Sequence, residues 1–133
     1  MILLRLLLAV LFWHLFIGGR RESINMELIS VYITTTSADE STKIARRLLE
    51  ERLIACANIC KSVDSMYWWG NEIQESQESL LIVKSQVKDY ALIEEVVKEE
   101  HSYECPCILV FPIGDGNDDY LTWVRKETNR PRS

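Results

Sequence analysis

The alternation of apolar and polar residues predicts a strand and then a helix at the start of the globular part of the chain. Residues 28–34 are rich in β-branched side chains, which favours a strand buried on both faces. Ser37 and Glu40 have the spacing of a capping box, in which the two side chains satisfy free backbone N–H groups at a helix start. Apolar residues then recur at intervals of three or four, so we expect a helix over residues 39–53 with one face on a sheet.

A long β-hairpin over residues 53–84 is the strongest local pattern. Its first arm, residues 55–69, has fifteen residues, whereas a strand usually has about five or six. A Gly70-Asn71 turn follows, in which glycine can adopt a positive φ, and the chain returns through residues 81–83. An arm of this length extends beyond the sheet of a small domain.

The tip of this arm carries several large apolar side chains, namely Met66, Tyr67, Trp68 and Trp69. If they protrude, they expose an apolar patch of the kind that is typical of a contact with another chain. The alternative is that they pack under the helices of the same subunit. We favour a subunit interface.

The second half of the chain adds a helix, a strand and a short helix. We expect an amphipathic helix over residues 84–101, a fourth buried strand over residues 108–111, and a last helix from Asp118 or Asp119 to Lys126. This order predicts an α+β, ferredoxin-like βαββαβ fold, with an antiparallel four-stranded sheet and both main helices on one face. The other sheet face then needs a cover, and another subunit is the simplest one.

Residues 1–19 are almost wholly apolar and are followed by Arg20 and Arg21. They match a cleaved secretory signal peptide, and a membrane anchor is the competing interpretation. Translation from Met26 would instead give a cytoplasmic protein. After this segment we expect a linker over residues 20–26, one domain over residues 27–128 and a flexible tail over residues 129–133.

Charge and the absence of known catalytic patterns narrow the function. The chain has 133 residues and a net charge of −5, and residues 26–133 carry −7 because the first 25 residues carry +2. An acidic body repels phosphate backbones, which argues against nucleic-acid binding. The sequence also has no H-E-x-x-H, G-x-S-x-G, P-loop or G-x-G-x-x-G pattern, so we expect a protein that is not an enzyme.

Four cysteines and one histidine are the candidate metal ligands. The cysteines form two pairs, Cys56 with Cys60 and Cys105 with Cys107, which leaves open a four-thiolate metal site, disulfides or free thiols with a structural role. His101 stands at the end of a predicted helix. A neutral imidazole there can bind copper or zinc, and a charged one can favour the helix C-terminus.

Five patches of sequence carry a resemblance to a known family: Ala55-Cys56-Ala57-Asn58-Ile59, Ser65-Met66-Tyr67-Trp68-Trp69-Gly70, Leu81-Ile82-Val83-Lys84, His101-Ser102-Tyr103 and Asp119-Tyr120-Leu121-Thr122-Trp123-Val124. In order and spacing, over about residues 27–128, these patches resemble the CutA divalent-cation tolerance family. A hydrophobic N-terminal extension also resembles animal members. The resemblance implies a homotrimer whose hairpin arms wrap neighbouring subunits, with tolerance to copper and other divalent metals as its function.

The resemblance also implies site residues. His101 stands at the family's histidine, Cys107 stands where a carboxylate is expected, and Thr35 stands where bacterial members can have a cysteine. A thiolate at Cys107 favours softer ions such as Cu(I) or zinc, and the change could equally mean that the metal site is lost. No metal is expected to be required for folding. The implied intersubunit cleft contains Trp69, Lys84, Tyr103 and Trp123, and the implied trimer interface contains Met66, Tyr67 and Trp68.

Two other functions stay open at this point. One is a membrane-proximal trimeric scaffold that helps to localise another protein, since animal members of the family are connected with acetylcholinesterase. The other is a small-ligand sensor like the PII signalling proteins, which rests on fold analogy alone.

Overall fold

The structure is a computed structural model that describes residues 27–131. The predicted signal peptide or anchor and the linker lie outside the described residues, and so does the end of the predicted tail. Between residues 27 and 131, no helix is both long and apolar enough to cross a membrane.

Four antiparallel strands form one sheet in the order β2-β3-β1-β4, which confirms the predicted ferredoxin-like arrangement. A single turn of 3₁₀ helix, Val87–Asp89, precedes the second main helix. The elements are β1 Leu28–Thr35, α1 Ala38–Glu50, β2 Cys56–Trp69, β3 Glu72–Gln86, α2 Tyr90–Glu100, β4 Ile108–Pro112 and α3 Asp118–Glu127.

The core lies between the sheet and the two main helices. Alternate residues of β1 and β3 point toward α1 and α2, because strand side chains alternate and helix side chains recur on one face. These two helices cover only this face of the sheet, and α3 packs against one end of the other face, where Val124 clusters with Leu28 and Ala55. The buried side chains include Ile29, Val31 and Ile33 of β1, Leu81 and Val83 of β3, Ile44 and Leu48 of α1, and Ile93 and Val97 of α2.

Two element boundaries differ from the sequence prediction. The first helix ends at Glu50 instead of residue 53, because Arg52 adopts a φ of 57° that no α-helix contains. The second helix begins at Tyr90 and not at Lys84. The strand continues to Gln86 there, where the backbone pairs with Leu28 of β1.

The fourth strand is less buried than predicted. Ile108 and Val110 pack against the core, whereas Leu109 and Phe111 are half-exposed on the face that the helices leave open. Because the apolar run was continuous, it carried no alternation that could distinguish the two faces.

The hairpin has the long arms that the sequence predicted. β2 and β3 pair from Cys56 and Lys84 to Trp69 and Glu72, with an irregular register between residues 60 and 63. Pairing with β1 ends at Ser79, so the outer part of the hairpin extends beyond the rest of the sheet. Gly70 and Asn71 both adopt positive φ, 59° and 62°, as a two-residue type I′ turn requires.

Candidate functional site

An open cavity of about 730 Å³ lies between the outer hairpin and the loop that joins α2 to β4. The hairpin and the loop each supply one wall, and Thr34 near the end of β1 completes it. Such a cavity is within the range of volumes that small-ligand sites occupy. The lining residues are Tyr67, Trp69, Gln74 and Glu78 of the hairpin and Ser102, Tyr103, Glu104, Cys105 and Cys107 of the loop, together with Thr34.

Strand alternation decides which hairpin residues line the cavity. Tyr67 and Trp69 point to the cavity side, and Gln74, the strand partner of Tyr67, points there with them. Met66 and Trp68 point to the opposite side and are exposed. The three residues predicted for a trimer interface therefore lie on two different faces of the hairpin.

Tyr103 joins the two walls. Its hydroxyl donates a hydrogen bond of 3.3 Å to Oε2 of Glu78, whose residue is only 8% exposed. Burial raises the pKa of Tyr103, and the nearby Glu78 carboxylate raises it further, because both disfavour the phenolate. Tyr103 is consequently a protonated donor at neutral pH and holds the loop against β3.

His101 is buried beneath the loop and does not line the cavity. Its Nε2–H donates to the carbonyl oxygen of Thr34 at 2.7 Å, and its Nδ1 accepts from the backbone N–H of Tyr103 at 3.0 Å. Both ring nitrogens are thus engaged, and a metal can bind this imidazole only if one of these bonds is broken. His101 is also the C-cap residue of α2, since its N–H donates to the carbonyl of Val97.

Glu40 fastens the loop to the start of α1. Its Oε1 accepts from the N–H of Ser102 at 2.9 Å, and its carboxylate also accepts from the hydroxyls of Ser102 and Thr36. Burial raises the pKa of Glu40, but the hydrogen bonds from Thr36 and Ser102 outweigh burial and hold this pKa below its ordinary value. The capping box is therefore half realised, because Ser37 caps the helix while Glu40 binds the distant loop.

Two free thiols lie in the loop wall. Cys105 is exposed and Cys107 is half-buried, and both line the cavity on either side of Pro106. The fold does not bring the other two cysteines, Cys56 and Cys60, to this pair. Cys60 and Cys107 stand at the ends of one row across the sheet, three strand spacings or about 14 Å apart.

A four-thiolate site is therefore not assembled within one chain. In the part of the chain that the structure describes, no group of three or more His, Cys, Asp or Glu side chains is arranged to hold a metal ion.

Cys56 contacts Tyr120 of α3, since its Sγ lies 3.2 Å from the hydroxyl of Tyr120. This hydrogen bond, and after it burial, raises the pKa of Tyr120 to about 12.

The cavity gathers some of the predicted cleft residues and leaves out others. Trp69 and Tyr103 line it together. Lys84 instead hydrogen-bonds to Asn58 on the open sheet face, and Trp123 lies on α3 with its ring centroid 5.4 Å from that of Tyr120. That Lys84 and Trp123 line a cleft between subunits stays a prediction.

Glu40, Glu78 and Glu104 are carboxylates of this region that the sequence did not single out as site residues. Glu78 pairs with Val63 just after the irregular register, so its side could not be assigned without knowing where that irregularity falls. Glu40 belongs to the predicted capping box at the start of α1, and its contact with Ser102 joins residues 62 positions apart in the sequence. Local spacing cannot predict such a contact.

Comparison with known proteins identifies a family for this arrangement. A family model described as CutA1 divalent ion tolerance protein matches residues 29–127. The divalent-cation tolerance protein CutA of Thermus thermophilus is 43% identical over 98 residues, which cover 74% of this chain and 95% of that protein.

Solved structures agree with this sequence similarity. The divalent cation tolerance protein of Thermus thermophilus superposes with a TM-score of 0.75 at 41% identity, over 77% of this chain and 99% of that chain. The periplasmic divalent cation tolerance protein CutA of Archaeoglobus fulgidus gives a TM-score of 0.74 at 37% identity, with the same shares covered. The similarity thus extends over nearly the whole length of both solved chains.

Proposed function

Since this chain belongs to the family of CutA1 divalent ion tolerance proteins, we propose that it is a homotrimer that binds divalent metal ions, copper among them. The relatives are named for tolerance to divalent cations. Binding is one way in which a protein without catalytic machinery can contribute to tolerance. We assign no catalytic role to the chain.

The observation that best supports metal binding is the pair of free thiols, Cys105 and Cys107, in an open, acidic cavity. Thiolates bind copper and zinc strongly, and Cys107 is accessible from the cavity. Glu78 and Glu104 lie in the same lining, so the local charge attracts cations. Cys107 is the first proposed ligand, and His101 is a second one only if its ring breaks the hydrogen bond with Tyr103 or Thr34.

Titration with Cu(II) and Zn(II) tests this proposal. We expect wild-type protein to bind these ions, and we expect a His101→Ala, Cys107→Ala double variant to lose most of that affinity. Cys60→Ala is the matched control, because it removes a thiol about 14 Å away and should bind as wild type does. If the double variant and the wild type bind indistinguishably, the proposed ligands are wrong.

The observation that supports assembly is the amount of apolar surface that the described chain exposes. At the hairpin tip Trp68 is 73% exposed and its strand partner Ile73 is 59% exposed. On the sheet face that the helices leave open, Leu109 and Phe111 are half-exposed. Exposed apolar patches on two faces are typical of a chain that associates with copies of itself.

Native mass spectrometry and sedimentation velocity test the assembly. The family resemblance implies three copies, so we expect a mass of three chains that persists on dilution. A well-behaved monomer at micromolar concentration would contradict the proposal. The mass should be measured with and without added copper, because assembly that depends on the metal would require a ligand set shared between subunits.

A further inference from the structure

We propose that the cavity between the outer hairpin and the loop binds a linear polyamine, an alkyl chain with protonated amines at its ends. The contacts come from carboxylates and aromatic rings of the lining, and they need neither a metal ion nor a thiol. The polyamine site is therefore independent of the divalent-metal function proposed above. Three features of the lining identify the ligand, namely its charge, one carboxylate oxygen without a donor, and its aromatic rings.

The charge of the lining selects a cation. Glu78 and Glu104 belong to the lining, whereas no Lys, Arg or His side chain of residues 27–131 does. A cleft lined by charge of one sign raises the local concentration of ions of the opposite sign. Anionic ligands such as nucleotides are therefore disfavoured in this cavity.

Glu78 is the anchor for one ammonium group. Its residue is only 8% exposed, and burying a carboxylate is costly unless it is paired. Tyr103 donates a hydrogen bond to Oε2 of Glu78, and no residue between 27 and 131 donates to Oε1. An alkylammonium group supplies both the missing donor and the opposite charge, and hydrogen bonds between charged partners are among the strongest in proteins.

Three aromatic rings complete the site. Tyr67 and Trp69 line the cavity from the hairpin, and Tyr103 lines it from the loop. Their exposed fractions are 42%, 70% and 39%, so a ligand can cover these rings without disturbing the core. Aromatic faces attract ammonium groups, and their apolar surface also packs against methylene groups. Rings and carboxylates in one lining therefore suit a ligand with a cationic end and an apolar stem.

The second carboxylate favours a polyamine over other cations. Glu104 is exposed on the loop, whereas Glu78 is buried, so the two carboxylates lie at different depths of one cavity. They match two ammonium groups with an alkyl stem between them. A quaternary ammonium ion has no N–H group and leaves Oε1 of Glu78 without a donor. A hydrated inorganic cation has no apolar surface to place on the rings.

The two walls of the cavity are already held in position. Tyr103 bonds the loop to Glu78 of β3, and Ser102 bonds the same loop to Glu40 of α1. The hairpin wall is fixed by continuous pairing of β2 and β3 from residue 63 to the turn. Walls that need little rearrangement lower the entropy lost on binding.

Isothermal titration calorimetry with spermidine and putrescine tests the site. Full-length protein is stripped of metal with EDTA and dialysed into buffer without chelator. We expect saturable binding of one spermidine per chain. Choline and Mg²⁺ should each bind about tenfold more weakly, because choline lacks the N–H donors and Mg²⁺ lacks the apolar stem.

Glu78→Gln should weaken spermidine binding roughly tenfold or more, because the amide keeps the shape of the side chain but loses its charge. Glu75→Gln is the matched control. Glu75 is an exposed carboxylate of the same strand and pairs with Met66, whose side chain points away from the cavity. We expect Glu75→Gln to bind as wild type does, although it loses the same charge.

The two neighbouring tryptophans provide a second matched pair. Trp69 lines the cavity and is 70% exposed, and Trp68 is 73% exposed on the opposite face of the same strand. Trp69→Leu should weaken spermidine binding about fivefold, since leucine lacks the aromatic face. Trp68→Leu should leave the dissociation constant unchanged. Equal losses in the two variants would exclude the rings as part of the site.

Nuclear magnetic resonance of wild-type protein removes any dependence on how the variants fold. Spermidine should shift the indole N–H signal of Trp69 and the backbone amides of residues 102–105, and it should leave the indole signal of Trp123 in place. Shifts confined to the exposed acidic face of α2, around Glu95 and Glu99, would show charge attraction without a site and would overturn the proposal.

The outcomes separate the polyamine site from the metal function. If spermidine binds as expected and neither Cu(II) nor Zn(II) binds, the polyamine site stands and the metal function fails. If wild-type protein takes up no spermidine, or if Glu75→Gln weakens binding as much as Glu78→Gln does, the polyamine site is wrong whatever the metals do.

Discussion

Glu40 connects segments that are far apart in the sequence, and its charge is what makes the connection strong. It lies in the first turn of α1 and accepts hydrogen bonds from Ser102, at the start of the loop that bears both cavity thiols. Hydrogen bonds to a charged acceptor contribute about 1.5–3 kcal/mol, more than bonds between neutral groups. The cavity wall therefore depends on one carboxylate that is outside the cavity.

Replacing Glu40 by Gln should destabilise the protein by about 1–2 kcal/mol at pH 7, because the amide keeps the shape but loses the charge. The folded-state pKa of Glu40 lies below its ordinary value of 4.5. Its contribution is therefore complete above pH 4.5 and is lost as the pH falls through the lower folded value. The difference between wild type and variant, measured by urea unfolding, should shrink on going from pH 7 to pH 3.

Glu50→Gln is the control for this measurement. Glu50 is an exposed carboxylate on the same helix, so its replacement should change the free energy of unfolding by less than about 0.5 kcal/mol at either pH. A Glu40→Gln difference that is the same at pH 3 and pH 7 would show that the carboxylate charge is not what holds the loop.

Single residues also show how far sequence reasoning reaches. The family resemblance pointed to His101, Tyr103 and Cys107 in the sequence, and the structure brings Tyr103 and Cys107 to one cavity. It could not show that both nitrogens of His101 are occupied, because their partners include Thr34, 67 residues away. The type of a residue predicts which ligands its side chain can bind. Its hydrogen-bond partners in the fold decide whether a ring nitrogen such as those of His101 has a lone pair free for a metal.

At the scale of elements, the hairpin depends on its turn. Gly70 and Asn71 both have positive φ, which matches the right-handed twist of the flanking strands. Nothing approaches the position of a Cβ at Gly70 within 4 Å, so space does not explain the glycine there. The backbone conformation does, because a left-handed φ is costly for residues with a Cβ.

A Gly70→Ala variant should accordingly lose about 1 kcal/mol of stability, and Asn71→Gly should lose little or none, because glycine adopts a φ of 62° without strain. Thermal unfolding of the two variants beside wild type measures the difference. A Gly70→Ala protein as stable as Asn71→Gly would mean that the turn changes type or frays at no cost.

The elements themselves were largely predictable, and their ends were not. Period-two and period-3.6 patterns predicted the order of strands and helices, since each pattern belongs to one local geometry. The prediction of a helix at residues 84–86 is wrong, since their own composition favours neither structure strongly. Their place in β3 is decided by pairing with β1, which is a contact between distant segments.

For the whole molecule, the hairpin tip and the open sheet face both expose large apolar side chains. The hairpin tip carries Trp68 beside Ile73, and the open sheet face carries Leu109 and Phe111. Burying a large aromatic side chain stabilises an interface by about 1.5–3 kcal/mol, and aromatic residues are enriched where such energy concentrates. The sequence predicted an exposed arm from its length, yet only the paired register shows which tip residues face outward together.

Trp68→Asp should weaken assembly before it disturbs the fold. Trp68 points away from the cavity and lies outside the core cluster, so an aspartate there removes interface area and adds a charge without opening a cavity inside the subunit. A buried unpaired charge at an interface costs several kcal/mol, which is enough to dissociate a trimer at micromolar concentration. Sedimentation velocity should show smaller species while the far-ultraviolet circular dichroism of the helices is retained. Asn71→Asp is the control, because it places the same charge in the adjacent turn and keeps the tryptophan, and this variant should sediment as wild type does. If the Trp68→Asp protein also keeps the wild-type mass, the hairpin tip is not the interface.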